Sequence, residues 1–309
     1  MILITGAGGL LGRYISEAFK DLPQKSLGLR EESDFRYDLT KAVPDFGDIK
    51  FSTVIHTAGT EQDAHAMELN LEGTKRLLKG LEKNVPENFV FISSHRVYSR
   101  DAGDNITEEA NAWASDAAGK SKALAEKEVI DWCQSHDVTL TVIRPALMFG
   151  NGVSGDMLQL FNDGVNGKYI HIRGNDAAVS VVLAYDVARA IRILYKKGGI
   201  YNAADGRNPK LIELVESMTA NSGAKKRMTH LPPAWAEWIW RLGKWVPSIN
   251  RNLSPEVVEK RMKSHTIDGS YMAQEAGISY YDTIAVMEGL DENYPYSYKT
   301  DNQSSTIEA

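Results

Sequence analysis

The sequence has little cysteine, no long hydrophobic run and no excess of basic residues. Cys133 is the only cysteine among 309 residues, which excludes a disulfide framework and a Cys-x-x-Cys metal or redox motif, and we expect a buried structural thiol. No run reaches the roughly 18 apolar residues of a membrane-spanning helix. Lysine and arginine number 35 against 41 aspartates and glutamates, and this net charge of −6 disfavours nucleic acid as a partner. With a strand predicted from Met1 and no leader ahead of it, we expect a cytoplasmic protein.

Hydrophobic residues make up 43% and charged residues 25% of the chain, as in an ordinary globular protein. Apolar runs alternate with segments of helical periodicity. The predicted strands are Met1 to Thr5, Leu27 to Leu29, Thr53 to Thr57, Phe89 to Ser93, Val138 to Ile143, Val179 to Leu183 and Ile200 to Ala203, and the predicted helices are Leu11 to Leu22, Met67 to Asn84, Lys120 to His136 and Tyr185 to Lys196. This order predicts an α/β fold, a doubly wound parallel sheet of the Rossmann type with right-handed crossovers.

Three glycines, Gly6, Gly9 and Gly12, lie where the first predicted strand turns into the first helix. A pyrophosphate needs close approach of backbone N–H groups at the positive end of a helix, which residues without a β-carbon allow. The spacing is GxxGxxG and differs from the GxGxxG of most dehydrogenases. Glycine suits any tight turn, but the position between strand and helix favours nucleotide binding.

In this context the chain resembles the extended short-chain dehydrogenase/reductase family, of the NAD-dependent epimerase/dehydratase type. The resemblance runs from Met1 to about Gly289. After TGxxGxxG, the matching motifs are Asp38-Leu39, Val54 to Gly59, Asn70 to Thr74, Phe91 to Tyr98, Gly119 to Lys122 with Glu126, Arg144-Pro145 before Phe149-Gly150, Tyr185 to Ala188, and Tyr201-Asn202. The resemblance implies a Rossmann fold, an NADP or NAD cofactor and no metal. The cofactor-binding residues that it implies are Gly6, Gly9, Leu10, Leu11, Gly12, Arg30, Asp38, Leu39, Thr57, Ala58, Gly59, Asn70, Ser93, Lys122 and Pro145.

The choice between the two dinucleotides depends on the end of the second strand. Arg30 stands there, eighteen positions after Gly12, where NAD-using relatives place aspartate. An arginine suits the 2′-phosphate of NADP, so Arg30 favours NADP over NAD. The alternative is that Arg30 pairs with Glu31 and Glu32 on the surface, since two inward carboxylates would repel a phosphate.

The catalytic residues that the resemblance implies are incomplete. In the family a Ser/Thr, a Tyr and a Lys carry out the chemistry, with the Tyr and Lys spaced YxxxK on one helix. Here Ser94 and Lys122 are present, but the tyrosine position is Ala118, and no tyrosine occurs between Tyr98 and Tyr169. A knocked-out family member, a binder without turnover, or a different proton donor would each explain this.

The nearest titratable candidates for a substitute donor are His95 and Glu108. A lone histidine in a loop is more often structural or solvated, so the alternative for His95 is a structural role.

The second half of the chain defines the substrate less clearly. We expect residues 1–150 plus about 177–204 to form the dinucleotide-binding domain, about 151–176 plus 205–292 a smaller, mostly helical substrate lobe, and 293–309 a disordered tail. Val179 occupies the position of the family's diphosphate-clamping arginine, with Arg173 nearby.

One stretch of the second half is rich in tryptophan. Trp235, Trp238 and Trp245 share one helical face, which predicts core packing, a wall for a hydrophobic or lipid-linked substrate, or an interfacial helix.

Two hypotheses of function remain from the sequence. The first is an NAD(P)-dependent epimerase, dehydratase or reductase acting on a sugar or other hydroxyl or carbonyl substrate, impaired at Ala118. The second is a non-catalytic dinucleotide-binding protein, a pseudoenzyme or sensor. We expect a small-molecule substrate and no transmembrane segment, and a homodimer is left open.

Overall fold

The computed structural model describes residues 1–99, 102–152, 155–220, 228–232 and 261–296. Eleven parallel-paired strands occur in these ranges: β1 (Ile2–Thr5), β2 (Gln24–Gly28), β3 (Phe35–Arg36), β4 (Thr53–His56), β5 (Asn88–Ile92), β6 (Thr139–Pro145), β7 (Leu147–Phe149), β8 (Ile170–Ile172), β9 (Val181–Leu183), β10 (Gly199–Ala203) and β11 (Thr229–Leu231). Seven form one parallel sheet in the order β10-β6-β5-β4-β1-β2-β3. The others pair as β7 with β9 and β8 with β11.

Helices flank the sheet on both faces. They are α1 (Leu10–Ala18), α2 (Asp63–Ala66), which continues through a π-helical segment (Met67–Gly73) into α3 (Thr74–Leu81), α4 (Ala117–Ser135), α5 (Gly155–Val165), α6 (Ala184–Leu194), α7 (Leu211–Ala220), α8 (Ser270–Ala276) and α9 (Thr283–Met287), with a 3₁₀ turn at His95–Val97. Within the described ranges, no helix combines the length and apolarity needed to cross a bilayer.

Two hydrophobic clusters cover the two faces of the sheet. Successive side chains of a strand point to opposite faces, so Ile4 of β1 packs with α1 and α6, whereas Leu3 packs with α3 and α4. A third cluster lies apart from the sheet and joins β7 and β9 to α5, α7 and α9 through residues such as Phe149 and Leu214. This arrangement confirms the predicted doubly wound fold.

The predicted elements are present, with shifted boundaries. The helix predicted from Lys120 begins at Ala117, because the Asp116 carboxylate accepts a hydrogen bond from Gly119 N and caps it. The helix predicted over 67–84 begins earlier, at Asp63, and contains the π-helical segment. Cys133 is buried, as predicted, and burial raises the pKa of its thiol to about 12.

Not all of the second half lies in the described ranges. The tryptophans at 235, 238 and 245 lie outside the described residues, as do residues 297–309 of the expected tail. At the start of that expected tail, Tyr294 and Tyr296 pack against a cluster of aromatic rings, with the Tyr296 ring 5.5 Å from that of Tyr14.

Candidate active site

The glycine loop between β1 and α1 is shaped by contacts that only glycine permits. Gly6 has φ +67°, and a β-carbon on it would lie 2.7 Å from Ala58 N. A β-carbon on Gly12 would overlap the carbonyl oxygen of Gly6, so α1 could not begin so close to the loop. Gly9 is the N-terminal cap of α1 and provides no side-chain cap, so the amides of the first turn stay open to a ligand.

A chain of hydrogen bonds with a defined direction fixes the loop to the neighbouring strand. Ala58 N–H donates to Thr5 Oγ1, and Thr5 Oγ1 lies 2.6 Å from His56 Nδ1. On the other side His56 Nε2 lies 2.9 Å from Thr74 Oγ1, which donates to the Asn70 carbonyl. Thr74 therefore accepts from Nε2–H, and the unprotonated Nδ1 accepts from Thr5. Burial lowers the pKa of His56 to about 3, in keeping with this neutral tautomer.

Thr57 and Arg30 complete the surroundings of the loop. Thr57 Oγ1 donates to the Thr5 carbonyl at 2.7 Å. Arg30 is exposed and extends across the loop, where its Nε lies 2.8 Å from the position of a β-carbon on Gly8. No ion pair joins Arg30 to either adjacent glutamate in the described part of the chain, where Glu31 lies 3.9 Å from Arg36. The guanidinium therefore faces the loop, as a 2′-phosphate site would require.

The predicted pair Asp38-Leu39 lies in the turn after β3. The carboxylate of Asp38 accepts hydrogen bonds from the N–H and hydroxyl groups of Thr40, which hold its pKa below the usual range. Leu39 is buried, and its carbonyl accepts a hydrogen bond from Arg76. Both therefore shape this turn through contacts within the protein.

A cleft of about 300 Å³ extends from the loop along the carboxyl ends of β4, β5 and β6. The residues that line it are Gly9, Leu10, Leu11, Gly12, Thr57, Gly59, Thr60, Glu61, Gln62, Ile92, Ser93, Ser94, Arg96, Ala118, Lys122, Pro145, Ala146, Leu147, Met148 and Met157. It thus brings most of the predicted cofactor residues together with Ser94, Ala118 and Lys122. Ligands of open α/β sheets bind at this edge.

Lys122 lies deep in the cleft wall. Its ammonium donates to the Ile92 carbonyl at 2.8 Å and lies 5.2 Å from the centre of the Phe91 ring. Burial lowers the pKa of Lys122 to about 8, while the carboxylates of Glu61 and Glu126 act in the opposite direction. The group thus changes protonation near neutral pH.

Ala118 and Ser94 lie in the same cleft. Ala118 stands one turn before Lys122 on α4, and its N–H donates to the Asp63 carboxylate at 2.9 Å. Ser94 Oγ accepts a hydrogen bond from Arg96 N. The hydroxyl of the adjacent Ser93 is buried without a hydrogen-bond partner, which a ligand would supply. No tyrosine is among the described residues that line the cleft.

Two charged residues of the cleft were not predicted from the sequence as site residues. Arg96 is 9% exposed and contacts Asp116 at 3.1 Å and Asp63 at 3.4 Å. Glu61 is exposed on the cleft wall and acts on Lys122 by its charge. Its position just after β4 was the available signal, because the carboxyl end of a parallel strand is where sites form.

The two proton donors considered from the sequence lie elsewhere. His95 Nδ1 is 3.0 Å from the Pro145 carbonyl oxygen, and its ring lies 5.3 Å from that of His265. The Glu108 carboxylate accepts a hydrogen bond from Asn202 N at 2.7 Å, and burial raises its pKa. Neither side chain lines the cleft as the described residues define it.

A buried network fixes α4 against the sheet. Arg144 donates to both carboxylate oxygens of Glu126, at 2.8 and 3.1 Å, and to the hydroxyl of Tyr98. Tyr98 in turn donates to Asn202 on β10. Because Glu126 lies one turn after Lys122, this network sets the depth of the lysine in the cleft.

The position at which the resemblance implies a diphosphate-clamping arginine lies in apolar packing. Val179 packs against the third hydrophobic cluster, and Arg173 is exposed just after β8. In the ranges that the structure covers, no three His, Cys, Asp or Glu side chains are grouped to hold a metal ion.

Comparisons with known proteins agree with the fold and the motifs. The model of the NAD dependent epimerase/dehydratase family matches residues 2–204. The N-acetyl-alpha-D-glucosaminyl-diphospho-ditrans,octacis-undecaprenol 4-epimerase of Escherichia coli O157:H7 is 26% identical over 254 residues, which cover 75% of each chain.

Among solved structures, the UDP-glucose 4-epimerase of Thermus thermophilus in complex with NAD has a TM-score of 0.69 at 16% identity and covers 93% of this chain and 96% of its own. RMD from Pseudomonas aeruginosa complexed with NADPH has a TM-score of 0.67 at 20% identity and covers 94% and 96%. With the family model matching residues 2–204, the chain belongs to the NAD dependent epimerase/dehydratase family.

Proposed function

We propose that this chain is a nicotinamide-dinucleotide-dependent enzyme that interconverts a secondary hydroxyl and a carbonyl on a sugar carried by a diphosphate, as an epimerase or a reductase. The observation that carries the proposal is the single cleft that joins the glycine loop to Ser94 and Lys122. The relatives include epimerases of a UDP-sugar and of a lipid-diphosphate sugar, and these are the substrate classes to test first.

The residues of the cleft fit a dinucleotide. The pyrophosphate would lie against the amides of Gly9 to Leu11, which begin α1 and line the cleft. Lys122 would donate to a hydroxyl of the nicotinamide ribose. The buried hydroxyl of Ser93 would gain the partner that it lacks. A bound nicotinamide supplies one chemistry, the acceptance or return of a hydride at the substrate carbon.

Arg30 supports a preference for NADP. Its guanidinium extends over Gly8 and is not paired with the adjacent glutamates in the described structure, so it is available to a 2′-phosphate beside the loop.

The protein's own groups act on the substrate oxygen. Ser94 would donate a hydrogen bond to it, and the positive charge of Lys122 would stabilise negative charge that develops on it. Leu147, Met148 and Met157 would limit the access of water from the opposite wall.

We also propose that two parts of the chain bind the dinucleotide and the substrate, as expected from the sequence. Residues 1–150 with about 177–204 would hold the dinucleotide, and about 151–176 with 205–292 would hold the rest of the substrate. The separate hydrophobic cluster around Phe149 and Leu214 supports this division. We expect the protein in the cytoplasm, and size-exclusion chromatography with light scattering would show whether it forms a homodimer.

The second candidate is a protein that binds the dinucleotide without turnover, and the observation that favours it is Ala118. Fluorescence titration with NADPH and NADH, followed by incubation with UDP-N-acetylglucosamine, UDP-glucose and a polyprenyl-diphospho-N-acetylglucosamine, separates the two. Binding with epimerised or reduced product supports the enzyme. Binding without product on all three supports the second candidate, and absence of binding contradicts both.

A further inference from the structure

One side chain of the cleft connects three separate elements. Arg96 lies in the 3₁₀ turn after β5, two residues beyond Ser94, and lines the cleft although its side chain is only 8% exposed. Its Nε and Nη2 contact the two carboxylate oxygens of Asp116, each at 3.1 Å, and its Nη1 donates to the Glu61 carbonyl at 3.2 Å. Nη2 also contacts Asp63 at 3.4 Å. Arg96 therefore connects the strand end that carries Ser94 with the start of α4 and with the cleft wall after β4.

The two carboxylates that contact Arg96 also hold the first turn of α4. Asp116 accepts a hydrogen bond from Gly119 N at 2.8 Å, and Asp63 accepts one from Ala118 N at 2.9 Å. Amides in the first turn of a helix have no acceptor within the helix, so side chains that cap them help to decide where the helix begins. Because Arg96 contacts both acceptors, it sets the position of this turn.

The backbone of Arg96 contacts the same two elements. Its N–H donates to Ser94 Oγ at 3.2 Å, so this hydroxyl accepts from the turn and keeps its own hydrogen for another acceptor. Its carbonyl lies against α4, since a β-carbon on Gly119 would overlap the carbonyl oxygen. The side chain and the backbone of Arg96 together hold Ser94 and the start of α4 in a fixed relation.

We propose that Arg96 is a positioning residue, which fixes the Ser94 hydroxyl relative to the first turn of α4 so that Ser94 and Lys122 meet one substrate oxygen. The inference rests on the proposed function, because it needs a substrate oxygen beside Ser94. Arg96 acts through Ser94 and α4 and takes no part in the transfer of a proton or a hydride.

The contacts need the geometry of an arginine. A guanidinium is planar and has donors on three nitrogens, which suits a two-point contact with Asp116 and a further contact with the Glu61 carbonyl. A lysine has a single nitrogen and cannot make both contacts in this arrangement. The charge of Arg96 also offsets the two carboxylates at the start of α4.

Two variants of Arg96 test its effect on turnover. Arg96→Met retains an unbranched side chain without charge or donors, and we expect kcat with UDP-N-acetylglucosamine to fall by about 10²-fold, as when reacting groups are misplaced by roughly 1 Å. KM and NADPH affinity should change little, because none of the contacts above involves the glycine loop. Arg96→Lys should retain part of the turnover. The control is Arg192→Met, at an arginine that joins α6 to Asp21 away from the described residues of the cleft.

Hydrogen exchange of the protein without substrate provides a second readout. In Arg96→Met we expect the Ala118 and Gly119 amides to exchange about fivefold faster, as for the loss of a helix cap, while amides in the last turn of α4 stay unchanged. Asp63→Asn alters a side chain that is 57% exposed and keeps an oxygen for the Ala118 amide. It should give a smaller change in the same direction, because only the charge that pairs with Arg96 is lost.

The outcomes distinguish this inference from the proposed function. Unchanged kcat in Arg96→Met overturns the inference while the enzyme stands, and so does a loss of NADPH affinity equal to the loss of kcat. Absence of dinucleotide binding, or of turnover in the parent protein, overturns the proposed function. Exchange at Ala118 and Gly119 decides independently whether Arg96 holds this turn, since unchanged exchange in both Arg96→Met and Asp63→Asn overturns the inference in either case.

Discussion

The two ends of the cleft are built in different ways. At the loop end, backbone contacts fix the conformation of the glycine loop. The side chains of Thr5, His56 and Thr74 are hydrogen-bonded to one another. At the other end, the Ser93 hydroxyl has no hydrogen-bond partner among the described residues, and the Lys122 ammonium makes one hydrogen bond. Ala118 takes part only through its backbone N–H, which donates to Asp63. With the proposed function, dinucleotide binding would depend on the shape of the backbone, whereas the chemistry would depend on single side chains. One substitution would then change the reaction without changing the fold.

The largest effect is expected at the loop end. Gly12→Ala should weaken dinucleotide binding by at least about 100-fold, because the new β-carbon overlaps the Gly6 carbonyl and forces α1 away from the loop. Fluorescence titration with NADPH measures this. Gly73→Ala is the matched control, since its β-carbon would meet Leu39 at an ordinary 3.4 Å. Equal losses in both variants would show that the loop is not the binding element.

The next effect tests the other end. Ala118→Tyr should raise turnover by about 10²-fold, the usual contribution of a positioned acid or base, with little change in dinucleotide binding. Initial rates with UDP-N-acetylglucosamine measure it. Ala118→Phe has the same ring without the hydroxyl and should gain nothing. A gain in the phenylalanine variant would mean that packing, and not a proton, was limiting.

A smaller effect concerns selectivity. Arg30→Ala should weaken NADPH binding by ~1.5–3 kcal/mol, the range for a hydrogen bond to a charged group, and leave NADH binding nearly unchanged. Paired titrations of the two dinucleotides measure the difference. Arg36→Ala, at the exposed arginine near Glu31, should alter neither. Equal weakening of both dinucleotides would assign Arg30 to the shape of the loop.

The smallest effect is on stability. Burial of Lys122 lowers its folded pKa to about 8 from 10.5, and this depression costs roughly 3 kcal/mol at pH 7. Lys122→Met loses the bond to Ile92, about 1 kcal/mol, and should gain about 1–2 kcal/mol in unfolding free energy.

This gain has a defined pH window. The folded pKa is depressed, so the penalty is complete below pH 8 and disappears as the pH rises to 10.5. Thermal unfolding at pH 7 and pH 10.5 checks it, with Lys120→Met as the exposed control on α4. A gain that persisted at pH 10.5 would contradict burial of a charge as its cause.

The sequence patterns were sufficient to predict the loop end of the cleft. The spacing of Gly6, Gly9 and Gly12 and the alternation of strands with helices predict the loop and the sheet, because both depend on local sterics and periodicity. The position of Ala118 beside Lys122 also follows from helical spacing.

The polar contacts at the Lys122 end of the cleft could not be predicted from sequence patterns. Arg96 reaches Asp63 and Asp116 across three different elements, and Glu61 meets Lys122 only because β4 and β5 are neighbours in the sheet. Such contacts depend on the tertiary arrangement, which periodicity does not encode. For the same reason the partner of Glu108, the backbone of Asn202, could not be anticipated.

The order of strands in the sheet has a consequence for synthesis of the chain on the ribosome. β10 completes the sheet beside β6, yet it lies more than fifty residues later in the sequence. Until residues 199–203 emerge, the mostly buried strand β6 has an unpaired edge that can pair with other chains. A nascent chain, or a fragment cut near residue 150, would therefore be prone to aggregate although it contains the whole glycine loop.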